Sequence, residues 1–132
     1  MFVLAPRRWR MPQKILVVDD DQDIVYILKS TLQKNGYEVV TAGNGEQALK
    51  LVETFVPDLM ITDLTMPVMN GWYFSMKVRA DARYKTTPII IMSGLLDREA
   101  EPEEYETATI YVPKPFDIFK LMDKIKELLK EP

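Results

Sequence analysis

Three aspartates follow two short apolar runs in the first half of the chain. Asp19 and Asp20 follow "ILVV", and Asp63 follows "LMIT". An apolar run that stops at a polar residue is typical of a buried strand, so these side chains should share the carboxyl edge of a parallel sheet. Two like charges about 4 Å apart repel by about 4 kcal/mol at an effective dielectric constant of 20. The three carboxylates therefore need a cation.

Two more polar side chains follow later apolar runs. Ser93 comes directly after "PIIIM", and Lys114 comes directly after "YVP". Carboxylate oxygens are hard ligands that suit Mg²⁺, and a carboxylate such as that of Asp63 can attack a phosphoryl group to form an acyl phosphate. The hydroxyl and the ammonium would then contact the phosphoryl oxygens. The pattern favours phosphoryl transfer assisted by Mg²⁺.

Each of these residues also has an ordinary structural interpretation. Asp21 or Asp23 is expected to cap the first helix instead of binding a metal. An exposed lysine is usually solvated, and a serine after a strand is often a turn residue. Four strand ends that carry compatible groups nevertheless favour a functional site over separate structural roles.

Apolar runs and helical patterns alternate from Lys14 to the end of the chain. This alternation predicts an α/β fold with a doubly wound, five-stranded parallel sheet and five flanking helices. The least certain segment is Leu95 to Glu106, which holds six acidic residues, one arginine and Pro102. The proline excludes a single uninterrupted helix there.

Length and composition narrow the possible functions. The 132 residues fit one domain, and with neither cysteine nor histidine the chain cannot form disulfides, thiolate metal sites or a histidine general base. No apolar run approaches the roughly 18 residues of a membrane span, and a net charge of -3 argues against direct nucleic-acid binding. Residues 1–13 lack the order of a secretory signal and are predicted to be a disordered tail before a domain at 14–132. A cytoplasmic location without membrane contact is expected.

Four motifs resemble the receiver domain of bacterial two-component response regulators. They are "ILVVDDD", "PDLMITDLTMPVMNG", "PIIIMSG" and "YVPKPF", in the family's order and near its spacing. The resemblance implies a flavodoxin-like strand order 2-1-3-4-5. It also implies that Asp63 accepts a phosphoryl group from the phosphohistidine of a sensor histidine kinase.

The resemblance extends to individual residues around the carboxylates. It implies that Mg²⁺ is bound directly by Asp20, Asp63 and the backbone carbonyl of Thr65, and through water by Asp19.

Later motif positions match the residues that respond to phosphorylation in this family. Ser93 corresponds to the switch hydroxyl, Tyr111 to the aromatic residue that changes rotamer with it, and Lys114 to the lysine that contacts the phosphate. The resemblance also implies a cis peptide bond between Lys114 and Pro115.

The chain departs from the family pattern ahead of the last strand. Thr107 and Ala108 stand where the family usually has Gly and Ala, and the interval from Ser93 to Lys114 is one residue shorter than usual. Both changes fall on the face that family members use for docking or dimerisation. Leu95 occupies a variable position beside the site, where an apolar side chain would shield an acyl phosphate from water and slow its hydrolysis.

The resemblance implies a phosphorylation-dependent switch that is not an enzyme beyond its own phosphorylation and dephosphorylation. It is expected to be of the single-domain type, the alternative being a piece excised from a larger protein. Its expected partners are a sensor histidine kinase or phosphotransfer protein and a separate downstream effector protein. It is expected to be a monomer or a phosphorylation-dependent dimer. The alternative is a phosphorylation-independent pseudo-receiver that acts only as an interaction module. A haloacid dehalogenase-type phosphohydrolase is disfavoured, because Thr65 stands where its second Asp is required.

Overall fold

Strands and helices alternate along residues 11–94 and 107–130, the part of the chain that the computed structural model describes. The strands are β1 (Lys14–Val18), β2 (Glu38–Ala42), β3 (Leu59–Asp63), β4 (Ile89–Ser93) and β5 (Ile110–Pro113). The helices are α1 (Gln22–Lys34), α2 (Gly45–Thr54), α3 (Gly71–Arg79) and α4 (Ile118–Leu128), with a short 3₁₀ helix at Ala82–Tyr84.

The five strands form one sheet in the order β2-β1-β3-β4-β5, and every neighbouring pair is parallel. The predicted α/β fold and strand order are confirmed. In this register Asp63 pairs with Met92, and Ser93 pairs with Pro113. The carboxyl ends of β3, β4 and β5 therefore lie at one edge of the sheet.

Two apolar clusters cover the two faces of the sheet. Alternate strand residues point to opposite faces, so Ile15 and Val17 pack with α1 and α4, whereas Leu16 and Val18 pack with α2 and α3. On the helices, the buried residues follow the helical period: they are Leu28 and Leu32 of α1 and Leu121, Met122 and Ile125 of α4. Because both faces are covered, the central strands are apolar at almost every position.

The described residues contain four α-helices, so the expectation of five flanking helices is corrected to four for this part of the chain. The fifth helix was expected within Leu95 to Glu106, which lies outside the described residues. The 3₁₀ helix at Ala82–Tyr84 was not predicted, because three residues are too few to produce a helical period.

Side-chain caps fix where the helices begin. Asp21 accepts hydrogen bonds from the amides of Asp23, at 2.9 Å, and Ile24, so the cap expected at Asp21 or Asp23 is Asp21. Asn35 follows the last residue of α1, and Gly36 adopts a positive φ of 90°. Such a backbone favours glycine and ends the helix.

Gln13 already contacts the folded domain. Its side-chain amide donates to the carbonyl of Leu129 at 3.1 Å, and its own carbonyl accepts from the amide of Glu38 at 3.0 Å. Residues 1–10, most of the predicted tail, lie outside the described residues. Within the described ranges, no helix has the length and apolar character needed to cross a membrane.

The first residue of α3 packs directly on the end of β3. The amide of Gly71 donates to the carbonyl of Leu64 at 2.8 Å. A Cβ atom on Gly71 would overlap the carbonyl oxygen of Asp63 and lie 3.0 Å from Oγ1 of Thr62. Only glycine allows this close approach between helix and strand.

Replacing Gly71 with alanine should therefore lower the free energy of unfolding by about 2 kcal/mol or more, since the added methyl group meets backbone. The matched control is Gly43→Ala, whose Cβ would make an ordinary 3.5 Å contact with Oε1 of Gln47. Urea unfolding followed by circular dichroism measures both variants. Equal stability of the two variants would contradict the close packing of α3 on β3.

Candidate functional site

Three carboxylates meet at the carboxyl edge of the sheet. Asp19 and Asp20 follow β1, Asp63 ends β3, and one oxygen from each lies within 4.8 Å of the others. Asp19 and Asp63 are buried, at 2% and 7% exposure, whereas Asp20 is exposed. The predicted cluster is therefore present, with two members inside the fold and one facing solvent.

Lys114, the first residue after β5, lies between the two buried carboxylates. Its Nζ atom is 3.1 Å from Oδ2 of Asp19 and 3.1 Å from Oδ1 of Asp63. The second oxygen of Asp19, Oδ1, accepts a hydrogen bond from the amide of Asp21 at 2.9 Å. Both oxygens of Asp19 thus have partners within the protein.

Burial and crowding shift the pKa values of these groups. Burial, together with the nearby charge of Asp19, raises the pKa of Asp63 to about 6, although Lys114 opposes the rise. Burial also raises the pKa of Asp19 against the opposing effects of the Asp21 amide and Lys114. Burial alone would lower the pKa of Lys114, but Asp19 and Asp63 outweigh it and the pKa is raised. Lys114 therefore stays charged at neutral pH.

The donor set fits a hard divalent cation. Three carboxylates face the single ammonium of Lys114, so ionisation of all three would leave an excess of negative charge at the cluster. The oxygen atoms suit Mg²⁺, which retains several waters when one or two carboxylates bind it. The exposure of Asp20 leaves one side of the cluster open for those waters.

Ser93 and Tyr111 contact each other through their hydroxyl groups. Ser93 ends β4 and is 1% exposed, and Tyr111 lies in β5 with its ring packed against the cluster that contains α2 and α3. The carbonyl of Ser93 accepts from the amide of Lys114 at 2.6 Å. The structure therefore brings the predicted switch pair next to the lysine, and the peptide bond between Lys114 and Pro115 is cis.

The loop from β3 to α3 forms another border of the site. Thr65 lies in this loop and is exposed, while the amide of Leu64 donates to the carbonyl of Met92 at 2.8 Å. Val68 has a positive φ of 71° and is 74% exposed. This conformation is uncommon for a β-branched residue, and such strain concentrates at functional loops.

Sequence reasoning missed two residues that support the backbone of Asp63. Thr62 is fully buried and donates from Oγ1 to the carbonyl of Asp63 at 3.0 Å, and Gly71 packs on the same carbonyl. A glycine that begins a helix instead of ending one was the available signal for Gly71. Leu95, the proposed shield of the site, lies outside the described residues.

The family model of the response regulator receiver domain matches residues 15–126. The chain belongs to this family. Its matched region includes every predicted site residue, from Asp19 to Lys114.

Relatives of this receiver domain include regulators about twice as long as the matched region and a protein that it matches almost end to end. It is 34% identical over 127 residues to the alkaline phosphatase synthesis transcriptional regulatory protein PhoP of Bacillus subtilis, covering 91% of this chain and 50% of PhoP. It is also 34% identical to sporulation initiation phosphotransferase F of the same organism, covering 90% of this chain and 95% of that protein. The chain thus spans about half the length of the first curated relatives that it matches.

Among solved structures, the receiver domain is similar to the response regulator TrrA of Thermotoga maritima in complex with Mg²⁺ and BeF. The identity is 37% and the TM-score 0.78, and the match covers 89% of this chain and 99% of TrrA. A second structure contains TrrA in complex with the histidine kinase ThkA, with 36% identity, a TM-score of 0.77 and the same coverage.

The raised pKa of Asp63 predicts how stability depends on pH in metal-free protein. The folded state holds the proton of Asp63 up to about pH 6, whereas the unfolded state releases it near 3.8. The folded state binds more protons between these values, so the free energy of unfolding should fall as pH rises through this range. Asp63→Asn should make the free energy of unfolding less dependent on pH in this range, and should raise it by on the order of 1–2 kcal/mol at neutral pH.

Urea unfolding in a metal chelator across this pH range measures the effect. Asp123→Asn, which alters an exposed carboxylate of α4, serves as the control and should keep the wild-type slope. An unchanged slope in Asp63→Asn would show that Asp63 is not held in an unfavourable ionised state.

Proposed function

We propose that Asp63 accepts a phosphoryl group in a Mg²⁺-dependent reaction and that the chain acts as a phosphorylation-dependent switch. The observation that carries this proposal is the position of Lys114, 3.1 Å from both Asp63 and Asp19 at the open edge of the sheet. A nucleophilic carboxylate and a fixed cation stand side by side, which is the arrangement that phosphoryl transfer needs.

In the proposed reaction a carboxylate oxygen of Asp63 forms a bond to phosphorus. The bond between phosphorus and the donor breaks, and the leaving group keeps the electron pair. A pKa of about 6 leaves most of the Asp63 carboxyl ionised, and so nucleophilic, at neutral pH. Lys114 would stabilise the charge that accumulates on the phosphoryl oxygens, and the hydroxyl of Ser93, at the end of the neighbouring strand β4, would contact one of them.

Mg²⁺ would be held by Asp20, Asp63 and the backbone carbonyl of Thr65. It would neutralise the excess negative charge of the carboxylate cluster. A water-mediated role for Asp19 is supported by its own hydrogen bonds, since Lys114 and the Asp21 amide already contact its two oxygens. The complex of the relative TrrA with Mg²⁺ and BeF also supports the binding of Mg²⁺ by this chain.

The proposed switch links the phosphoryl group to Tyr111. Ser93 would move toward the phosphoryl group, and the Tyr111 side chain, whose hydroxyl contacts the Ser93 hydroxyl, would change rotamer. A change at β5 would alter the neighbouring surface for a separate effector protein or for a second copy of the chain. The proposed phosphodonor is a sensor histidine kinase or phosphotransfer protein, and the complex of TrrA with ThkA supports a kinase partner.

The pseudo-receiver alternative has less support. A domain that never accepts phosphate has no need to keep a buried carboxylate pair against a lysine, since such an arrangement has a high desolvation cost. Asp19, Asp63 and Lys114 are all retained in this arrangement.

Incubation with acetyl phosphate and Mg²⁺ should add one phosphoryl group to the full chain, detected as an increase in intact mass and located by peptide mass spectrometry. Asp63→Asn should abolish the modification because it removes the nucleophile. Lys114→Gln should slow it roughly tenfold or more, because the fixed cation is lost. Asp123→Asn, on the outside of α4, should label like wild type. Absence of labelling in the wild type, or labelling of Asp63→Asn, would refute the proposal.

Mg²⁺ should stabilise the folded protein by about 2.7 kcal/mol at a hundred times its dissociation constant. Asp20→Asn should reduce this gain because it removes an exposed ligand of the cluster. Asp23→Asn, which changes an exposed carboxylate in the first turn of α1, should keep it. Thermal unfolding with Mg²⁺ or chelator measures the difference, and equal gains in the two variants would argue against the proposed metal ligands.

A further inference from the structure

A buried polar contact joins α3 to the segment that leads into β5. Ser75, in the middle of α3, is fully buried, and its hydroxyl contacts the hydroxyl of Thr107. The Ser75 hydroxyl also donates to the carbonyl of Trp72 at 2.7 Å. Because Ser75 has only one hydroxyl proton, the proton in the Ser75–Thr107 contact comes from Thr107.

Arg79, the last residue of α3, strengthens the same connection. Its Nε atom donates to the carbonyl of Thr107 at 3.1 Å, and its Nη2 atom donates to Oγ1 of Thr109 at 3.4 Å. Its Nη1 atom donates to the carbonyl of Thr87 at 2.7 Å, just before β4. The side chain of Thr109 also accepts from the amide of Ile89 at 3.0 Å. The end of α3 is thus bonded to the starts of both β4 and β5.

The opposite end of α3 is fixed to the phosphoacceptor. Gly71 packs on the carbonyl of Asp63, and its amide donates to the carbonyl of Leu64. α3 therefore runs from the backbone of Asp63 to Thr107, three residues ahead of β5, the strand that contains Tyr111. A helix is stiff along its axis, because each turn is closed by backbone hydrogen bonds.

We propose that the Thr107 hydroxyl is a positioning group that, through Ser75 and α3, couples the phosphoacceptor loop to the strand carrying Tyr111. It touches neither the phosphoryl group nor the metal. Its role is to hold the start of β5 against α3, so that displacement of the loop after Asp63 is transmitted to Tyr111. This inference rests on the proposed function, since it describes how the response to Asp63 modification reaches β5.

The test uses beryllofluoride with Mg²⁺ as a mimic of the acyl phosphate, and backbone amide chemical shifts as the readout. Two groups of amides are followed, those of the loop from Leu64 to Asn70 and those of Ile110 to Val112 in β5. Thr107→Val keeps the shape of the side chain and removes the hydroxyl. Thr107→Ser restores the hydroxyl, and Thr86→Val, at an exposed threonine, is the matched control.

In the wild type, Thr107→Ser and Thr86→Val, the mimic should shift both groups of amides. In Thr107→Val the loop should shift as in the wild type, whereas the shifts in β5 should fall by about half or more. The apparent affinity for Mg²⁺ should be unchanged, because the carboxylate cluster is intact. A purely structural role would instead change both groups of amides together.

Ser75→Ala provides a second route to the same contact, should Thr107→Val fold poorly. It should reduce the β5 response as Thr107→Val does, and the double variant should lose no more than either single variant, because both remove one contact. Wild-type shifts in β5 for Thr107→Val or for Ser75→Ala would overturn the coupling role while leaving the proposed function intact. A wild-type protein in which no amide responds to the mimic would overturn both.

Discussion

The burial of Asp19 and Asp63 on either side of Lys114 is the constraint on which the rest of the site depends. Two carboxylates that lose water raise each other's free energy, and Lys114 compensates only part of that cost. The folded protein therefore holds negatively charged carboxylates in surroundings that disfavour their charge. A positively charged ligand or an electrophilic group would relieve this cost, which supports the proposed reaction at this cluster.

The parallel sheet explains how residues so far apart in sequence reach one point. In a parallel sheet all carboxyl ends lie at the same edge, so the end of each strand can supply one group to a shared site. β1 provides Asp19, β3 provides Asp63, β4 provides Ser93, and Lys114 follows β5. The apolar runs identified the strands and their ends, so the α/β fold and the edge at which the polar groups meet could be predicted from the sequence. The strand order could be predicted only from the resemblance to a known family.

Other features could not be predicted from the sequence, because they depend on contacts between residues of different elements. Such contacts produce no periodic pattern in the sequence. In the sequence, Arg79 looks like a solvated residue at the end of a helix. Its guanidinium instead donates hydrogen bonds to backbone carbonyls just ahead of two strands. Gly71 looks like a weak helix former, yet its missing side chain allows α3 to touch Asp63. Thr107 was identified only as a departure from the family pattern, whereas its hydroxyl contacts the hydroxyl of Ser75. In each case the partner lies on another element, and nothing in the local sequence identifies it.

The geometry of α3 decides how a local charge change can have a distant effect. A phosphoryl group on Asp63 would add negative charge where carboxylates are already crowded, so the adjoining loop and the Ser93 hydroxyl would respond first. A ligand shifts a conformational equilibrium only by its difference in interaction with the two states. If the loop and β5 were joined only by a flexible segment, the loop could move without any movement of β5. α3 is packed on Asp63 at its start and hydrogen-bonded to Thr107 and Thr109 at its end. In the proposed coupling, this connection would carry a displacement of the loop to β5.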